Sequence, residues 1–274
     1  MTSRLTRRLG ELRAANEKAM GIFVTNGFPT LQDTPGVLRA LAAGGADFVE
    51  LGMPFSDPLA EGLPIQRSSA RALAGGVTME DAFRCAADFR MSCDIPLLLM
   101  GYVNPILQYG PEAFCQLARE SGIDGLIVPD LPPEESALLS DYAFRVGLDL
   151  IFLAAPNTSD TRIQKIDRMT TGFVYAVSIT GLTGSGLNGR MQAIESYLER
   201  VRGLVTLNPL LVGFGIRSHE DARRLTRNTD GFIVGSALVR QIEALWENGS
   251  LSDMQRLSRV EAFVCTLKNG QDCT

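Results

Sequence analysis

Short apolar runs alternate with amphipathic stretches along nearly the whole 274-residue chain. Continuous runs at 22–25, 48–51, 97–100, 126–128, 150–153, 173–177, 210–212 and 232–234 read as strands buried on both faces. Parallel strands covered by helices show no polar alternation, which is what these runs lack. Helical spacing separates them, at 35–43, 79–91, 112–120, 134–146, 160–169, 191–201 and 220–226. Eight β-then-α units with no break in composition predict an α/β fold, a (β/α)8 TIM barrel. A doubly wound sheet uses the same alternation, but eight units in about 250 residues favour the closed ring. Both ends add helices. Residues 4–15 place Leu5, Leu9 and Leu12 on one stripe, predicting a plug on the barrel floor. A helix over 251–267 follows the last strand, with Ser252 and Asp253 at its start. The expected organisation is one domain over 1–274: an N-terminal helix at 1–16, the barrel with its added helices at 17–268, and a tail at 269–274.

Composition narrows the chemistry. Lysine plus arginine number 26 against 31 acids, a net charge of −5 with mixed signs, which gives no basic face for nucleic acid. The only histidine, His219, excludes a multi-histidine zinc site and leaves any Ser-His-Asp or Cys-His scheme dependent on that one ring. It follows Ser218, the expected N-cap of a helix, and reads as a bystander there. The five cysteines, Cys85, Cys93, Cys115, Cys265 and Cys273, include no CxxC spacing and read as reduced thiols, with Cys273 in a frayed tail. No signal-peptide pattern and no apolar run near the ~20 residues of a membrane span is present, so a soluble, cytoplasmic protein is expected.

In a barrel of this kind the reactive groups stand where strands end. The run Phe48-Val49-Glu50-Leu51-Gly52 holds an acid among apolar residues, and alternation puts Phe48, Glu50 and Gly52 on one face. If that face is the interior, burial raises the Glu50 pKa toward the range useful for proton transfer; otherwise Glu50 is a structural carboxylate satisfied by an arginine or by backbone donors. The following loop carries Asp57 and Glu61. These acids divide proton roles with Glu50, hold a divalent metal for which the oxygen ligands are few, or are solvated loop residues. At the far side of the ring, Gly213-Phe214-Gly215-Ile216 and Gly235-Ser236-Ala237 end the last two runs, and Gly181-Leu182-Thr183-Gly184 ends the sixth. Glycines let the backbone approach a ligand, and a helix opening at Ser236 offers free N–H groups to a phosphate. Tyr175 shares a strand face with Phe173 and Val177 and reads as a core residue rather than a catalytic one, although a buried phenol needs a hydrogen-bond partner. Phe23 and Tyr102 are further candidates for substrate contact, and Asn104 and Asp130 also fall near the mouth.

Taken together these motifs resemble the tryptophan synthase α-subunit family, the indole-3-glycerol-phosphate lyases. The likeness runs over 18–264 and is densest in Glu50-Leu51-Gly52-Met53-Pro54-Phe55-Ser56-Asp57-Pro58. It continues in Leu99-Met100-Gly101-Tyr102-Val103-Asn104-Pro105, Asp130-Leu131-Pro132-Pro133-Glu134-Glu135, Gly181-Leu182-Thr183-Gly184 and Gly213-Phe214-Gly215-Ile216. The resemblance implies a retro-aldol cleavage of indole-3-glycerol phosphate without metal or organic cofactor. It implies that Glu50 handles the protons and that Glu61, where an Asp is usual, hydrogen-bonds the indole N–H. Tyr175 matches a residue of the indole pocket, Gly184, Gly215, Gly235 and Ser236 match the phosphate cup, and Thr183 matches the closing lid. Phe214 lies within the cup motif. A partner is implied as well: a PLP-dependent β subunit in an α2β2 complex, contacted through the loops of Pro54, Asp57 and Asn104.

Four positions depart from the family pattern. Glu61 is one methylene longer than Asp, Leu63 displaces a proline to Pro64, Phe28 replaces an acid with an aromatic expected at the surface, and Ile179 stands where an Arg is frequent. They leave two further readings open: a stand-alone indole-releasing lyase, or a weakly active subunit that stimulates a β partner.

Overall fold

The computed structural model describes residues 3–59, 61–177, 187–213 and 215–271, with backbone alone for 187–190. Its elements open with α1 (Arg4–Ala14), β1 (Ala19–Thr25), α2 (Thr34–Ala43), β2 (Phe48–Gly52), α3 (Leu63–Ala74), α4 (Met79–Arg90) and β3 (Leu97–Met100). There follow α5 (Val103–Tyr109), α6 (Pro111–Glu120), β4 (Gly125–Ile127), α7 (Ser140–Val146), β5 (Asp149–Ile151), β6 (Leu153–Ala154) and α8 (Asp160–Met169). The last are β7 (Val174–Val177), α9 (Leu187–Leu204), β8 (Leu210–Gly213), α10 (His219–Leu225), β9 (Gly231–Val234), α11 (Ser236–Glu247) and α12 (Asp253–Asn269).

Every strand pairing is parallel, in the order β5-β4-β3-β2-β1-β9-β8-β7-β6. The two ends of that order are one stretch of chain, because only Phe152 separates β5 from β6. The Phe152 carbonyl accepts from the Tyr175 N–H at 3.1 Å, so the two short strands act as one stave and the ring closes. The doubly wound alternative is thereby excluded. Inside the ring, Phe48 and Phe173 meet at 5.5 Å between centroids and Phe173 meets Tyr175 at 5.9 Å. Gly21 makes this possible, since a Cβ there would occupy the space of the Phe48 ring.

The expected floor plug is α1. Leu5, Leu9 and Leu12 are buried, while Ser3 caps the helix by accepting from the Thr6 N–H. Its basic residues reach fully buried acids at the entrances of the strands: Arg4 to Asp124 at 2.9 Å and Arg8 to Asp47 at 2.8 Å. Each acid also satisfies a strand N–H that parallel pairing leaves over. Asp47 accepts from Met20 N at 2.7 Å and Asp124 from Leu97 N at 3.0 Å. Arg90 and Lys268 supply further cations, to Asp124 and Asp47 respectively. The floor is thus saturated with paired charge, leaving the opposite end for chemistry.

Three expectations change. The helix expected at 134–146 is a 3-10 turn, Pro133–Leu138, followed by α7; Leu139, at φ −136°, breaks the helix as it enters the core. The aromatic Phe28 is 1% exposed, packed beneath the Arg71 guanidinium, because burying its ring outweighs any gain from facing the mouth. Cys85, Cys93 and Cys115 are free thiols, but Cys265, half-buried in the last turns of α12, is disulfide-bonded; Cys273 lies outside the described residues. No described helix is long and apolar enough to cross a membrane.

Removing one floor acid strands several partners at once. Asp124→Ala is expected to lower the unfolding free energy by about 3 kcal/mol, because Leu97 N–H and two guanidinium groups lose their acceptor. Arg7→Ala, which removes only an exposed 3.7 Å pair with Asp94, should change it by less than about 0.5 kcal/mol. Urea denaturation of the two variants checks the contrast.

Candidate active site

The site begins with Glu50, the middle residue of β2. In the β1–β2 register Phe23 lies beside Glu50 and Thr25 beside Gly52. A Cβ on Gly52 would lie 2.5 Å from the tip of the Phe23 ring, so Phe23 folds over this glycine on the interior face. Glu50, two residues earlier, shares that face. Its side chain is fully buried, and neither carboxylate oxygen has a hydrogen-bond partner. Burial, and after it the charge of Glu61, pushes the carboxyl well above the usual carboxylate range. The reading of Glu50 as a structural carboxylate held by an arginine is therefore excluded.

Glu61 arrives from the β2–α3 loop. Its N–H donates to the Pro58 carbonyl at 3.0 Å, and its own carbonyl accepts from Gln66 Nε2 at 2.9 Å. Gly62, the N-cap of α3, follows at once. Burial pushes the Glu61 carboxyl up to about 7. Across the mouth Tyr175, 4% exposed, has its phenol raised well above its ordinary value by burial and then by the charges of Glu50 and Glu61. A Cβ on Gly213 would collide with the Tyr175 ring and hydroxyl, so this glycine is what admits the tyrosine. Tyr175 therefore belongs both to the core and to the site.

The far wall is built from glycines and a helix start. Gly215 adopts φ +84°, a backbone conformation that side chains resist, with open space around its α-carbon. Gly235 is the N-cap of α11 and Ser236 its first residue. The first N–H groups of such a helix have no partner within it, and with its dipole they form an anion site. A Cβ on Gly235 would stand 3.3 Å from Ile65 and 3.4 Å from Phe23, while one on Gly62 would stand 3.4 Å from the Ser236 hydroxyl. The acid-bearing loop and the helix start are direct neighbours. Gly235 and Ser236 remain partly open to solvent. Thr183, Gly184 and Phe214 lie outside the described residues.

The other candidates are less central. The Tyr102 ring, at the N-cap of α5, stacks on Phe55 of the β2–α3 loop with centroids 4.8 Å apart and so supports that loop. Pro54 is half-buried, and Asp57 and Asn104 are exposed on the rim. Asp57 accepts from the Ser56 hydroxyl, and Asp130, also exposed, accepts from the Val103 N–H. His219 is the first residue of α10, after the Ser218–Asp221 capping box, and its Nδ1 lies 3.0 Å from the Leu267 carbonyl of α12. Among the described residues no group of three or more His, Cys, Asp or Glu is arranged to hold a metal ion.

Two residues at the mouth escaped the sequence reading. Ile65, 6% exposed, packs beneath Gly235. Asn26 is fully buried at the end of β1, with both side-chain amide atoms unpartnered, while its N–H donates to the Gly52 carbonyl at 2.9 Å. Asn26 carried a signal, a polar residue directly after an apolar strand; Ile65 carried none.

The chain matches known proteins over its full extent. The sequence model of a family described as Tryptophan synthase alpha chain covers residues 9–271. The tryptophan synthase alpha chain of Citrifermentans bemidjiense is 42% identical over 268 residues, 98% of this chain and 97% of that one. That of Flavobacterium johnsoniae is 43% identical over 253 residues, 90% and 95% of the two chains. Among solved structures, tryptophan synthase subunit alpha from Legionella pneumophila superposes with a TM-score of 0.87 at 34% identity, covering 99% of this chain and 100% of that one. A tryptophan synthase structure from Mycobacterium tuberculosis gives 0.86 at 34% identity, with 100% of both chains covered.

Glu61 makes stability depend on pH in a definite direction. Its carboxyl is held at about 7 against an ordinary 4.5, so the folded protein binds this proton more tightly than the unfolded chain does. The resulting stabilisation is full below about pH 4.5 and is lost as pH rises through about 7. Relative to Glu61→Gln, the native protein should lose about 2–3 kcal/mol between pH 5 and pH 8 in urea titrations.

Proposed function

The chain belongs to the tryptophan synthase alpha-chain family, and from that premise we propose that it cleaves indole-3-glycerol phosphate to indole and glyceraldehyde 3-phosphate. The observation that carries the chemistry is the orphaned Glu50 carboxyl, fully buried and held well above the usual carboxylate range, beside a second acid pushed up to about 7. The bond to be broken joins indole C3 to a carbon bearing a hydroxyl. Glu50 delivers its proton to C3, and positive charge develops at the ring nitrogen. The Glu61 carboxylate accepts the ring N–H and stabilises that charge as it forms. The carboxylate left at Glu50 then takes the hydroxyl proton. The electron pair of the C–C bond returns to the ring, releasing indole and the aldehyde. Two acids with separated affinities for a proton suit this division of labour.

Binding and orientation come from the walls. Phe23 and Tyr175 bracket the flat ring, and Tyr102 holds the acid loop through Phe55. The phosphate is received by Gly215, Gly235, Ser236 and the first N–H groups of α11; Thr183, Gly184 and Phe214 are assigned to it from the family motifs alone. Phe23 borders both Gly52 and Gly235, so aromatic wall, acid loop and helix start share one mouth, which suits a substrate with a planar ring and a phosphate.

The product indole would pass to a PLP-dependent β subunit, in an α2β2 assembly located in the cytoplasm. Pro54, Asp57 and Asn104 mark the docking loops, and Leu59 and Leu63, 90% and 72% exposed on the same rim, give that face apolar area to bury.

Glu50→Gln removes the proton donor without changing shape. Indole release should fall at least about a thousandfold while inorganic phosphate still binds, as read by a product assay and calorimetry. A variant that keeps near-native turnover would overturn the assignment of Glu50. Indole release measured with and without a β subunit reports the coupling: stimulation of tenfold or more, roughly 1.4 kcal/mol, is expected. Equal and rapid release in both assays would instead mark a stand-alone lyase.

A further inference from the structure

The first turn of α3 touches three parts of the mouth that no single strand connects. Gln66 Nε2 donates to the Glu61 carbonyl at 2.9 Å, and the Gln66 and Ile65 N–H groups both donate to Gly62 O at 3.0 Å. One turn on, Ser68 Oγ donates to the Ile65 carbonyl at 2.8 Å and meets Thr25 Oγ1 at 2.6 Å. Thr25 is the last residue of β1 and the register neighbour of Gly52, two residues beyond Glu50. Thr25 and Ser68 are both fully buried, whereas Gln66 is half-buried. On its remaining side the same turn packs Ile65 against Gly235, and Gly62 against Ser236.

A loop held only by its own turns would not keep a carboxylate within a fraction of an ångström of a reacting atom. From these contacts we infer that Thr25, Ser68 and Gln66 form a strut that positions Glu61 relative to Glu50 and to the start of α11. They are positioning residues, acting through Glu61 rather than on the substrate. The strut runs from barrel strand to helix through the buried Thr25–Ser68 hydroxyl pair, and from helix to acid through Gln66. Two hydroxyls removed from water hold each other in a single geometry, since neither has solvent as an alternative partner. Because Glu61 carries one methylene more than the Asp usual at this place, its carboxylate has one more rotatable bond, and a fixed backbone matters more to where it lies. This inference rests on the lyase reading for the role of Glu61, and its tests separate the two.

Thr25→Val and Gln66→Leu each remove one hydrogen bond of the strut while keeping shape. Each should lower kcat for indole release about tenfold with KM changed less than about twofold, because Glu61 acts on charge that develops only in the transition state. Each should also move the inflection near pH 7 in the rate profile to lower pH, since a displaced Glu61 carboxyl is better hydrated. Thr25→Ser, which retains the hydroxyl, should restore native values. Arg67→Ala, on the same turn but exposed and, among the described residues, paired only with Glu243 at 3.5 Å, should leave rate and profile unchanged. Native kcat and an unmoved inflection in Gln66→Leu would overturn the strut, even if Thr25→Val fails to fold, because Gln66 is half-exposed. An equal loss in Arg67→Ala would overturn it as well, showing that any disturbance of the turn suffices. If Glu50→Gln and Glu61→Gln both keep native activity, the lyase reading itself falls, and the strut with it.

Discussion

A carboxyl group without a hydrogen-bond partner, enclosed by eight parallel staves, governs how this molecule is built. Taking a charged carboxylate out of water costs several kcal/mol or more, and proteins meet that cost by pairing the charge or neutralising it. Glu50 has no paired charge, and burial pushes its carboxyl well above the usual carboxylate range. It therefore keeps its proton to higher pH than an ordinary glutamate does. Hydrating this group, or giving it an arginine, would relieve the cost and return its carboxyl toward the ordinary range.

The two ends of the barrel treat carboxylates in opposite ways. At the floor Asp47 and Asp124 are as deeply buried as Glu50, yet each takes a strand N–H and two cationic side chains. Asp167 likewise accepts from the N–H groups of Thr206, Leu207 and Asn208. These acids replace hydration with fixed donors and tie α1, α12 and the loops to the strand entrances. Stability is concentrated there, and the mouth is free to carry groups whose polar needs are unmet. Among the described residues, Glu50 on β2 and Asn26 just after β1 are buried at that end with unpartnered side-chain polar atoms.

The departures from the family pattern have unequal weight once packing is considered. Phe28 takes its place in the core under Arg71 and so does not alter the lining of the mouth. Leu63 stays exposed at the first position of α3, where it changes the surface a partner meets. Glu61 is the departure whose carboxyl lies close enough to Glu50 for its charge to raise the Glu50 carboxyl. Its extra length is accommodated in a loop fixed at both ends by backbone hydrogen bonds, against the start of α11.

Much of this was legible in the chain alone. Eight apolar runs without polar alternation require strands covered on both faces, and Gly215 and Gly235, after the last of them, are glycines at a positive-φ turn and at the N-cap of α11. The Leu5, Leu9 and Leu12 stripe foretold the floor plug, and the Ser218 and Ser252 caps lie where their side chains suggested. These are local matters of period, capping and steric allowance, which neighbouring residues settle among themselves. Tertiary structure decided the rest. Whether Glu50 met an arginine or nothing depended on which side chains the closed ring brought to its interior. Phe28 was buried by a helix more than forty residues away, through Arg71. The Thr25–Ser68 pair joins two elements that sequence spacing does not relate. A hydrophobic period reports only that a face is buried; what shares the burial, and hence where a proton sits, is set by contacts between residues far apart in the chain.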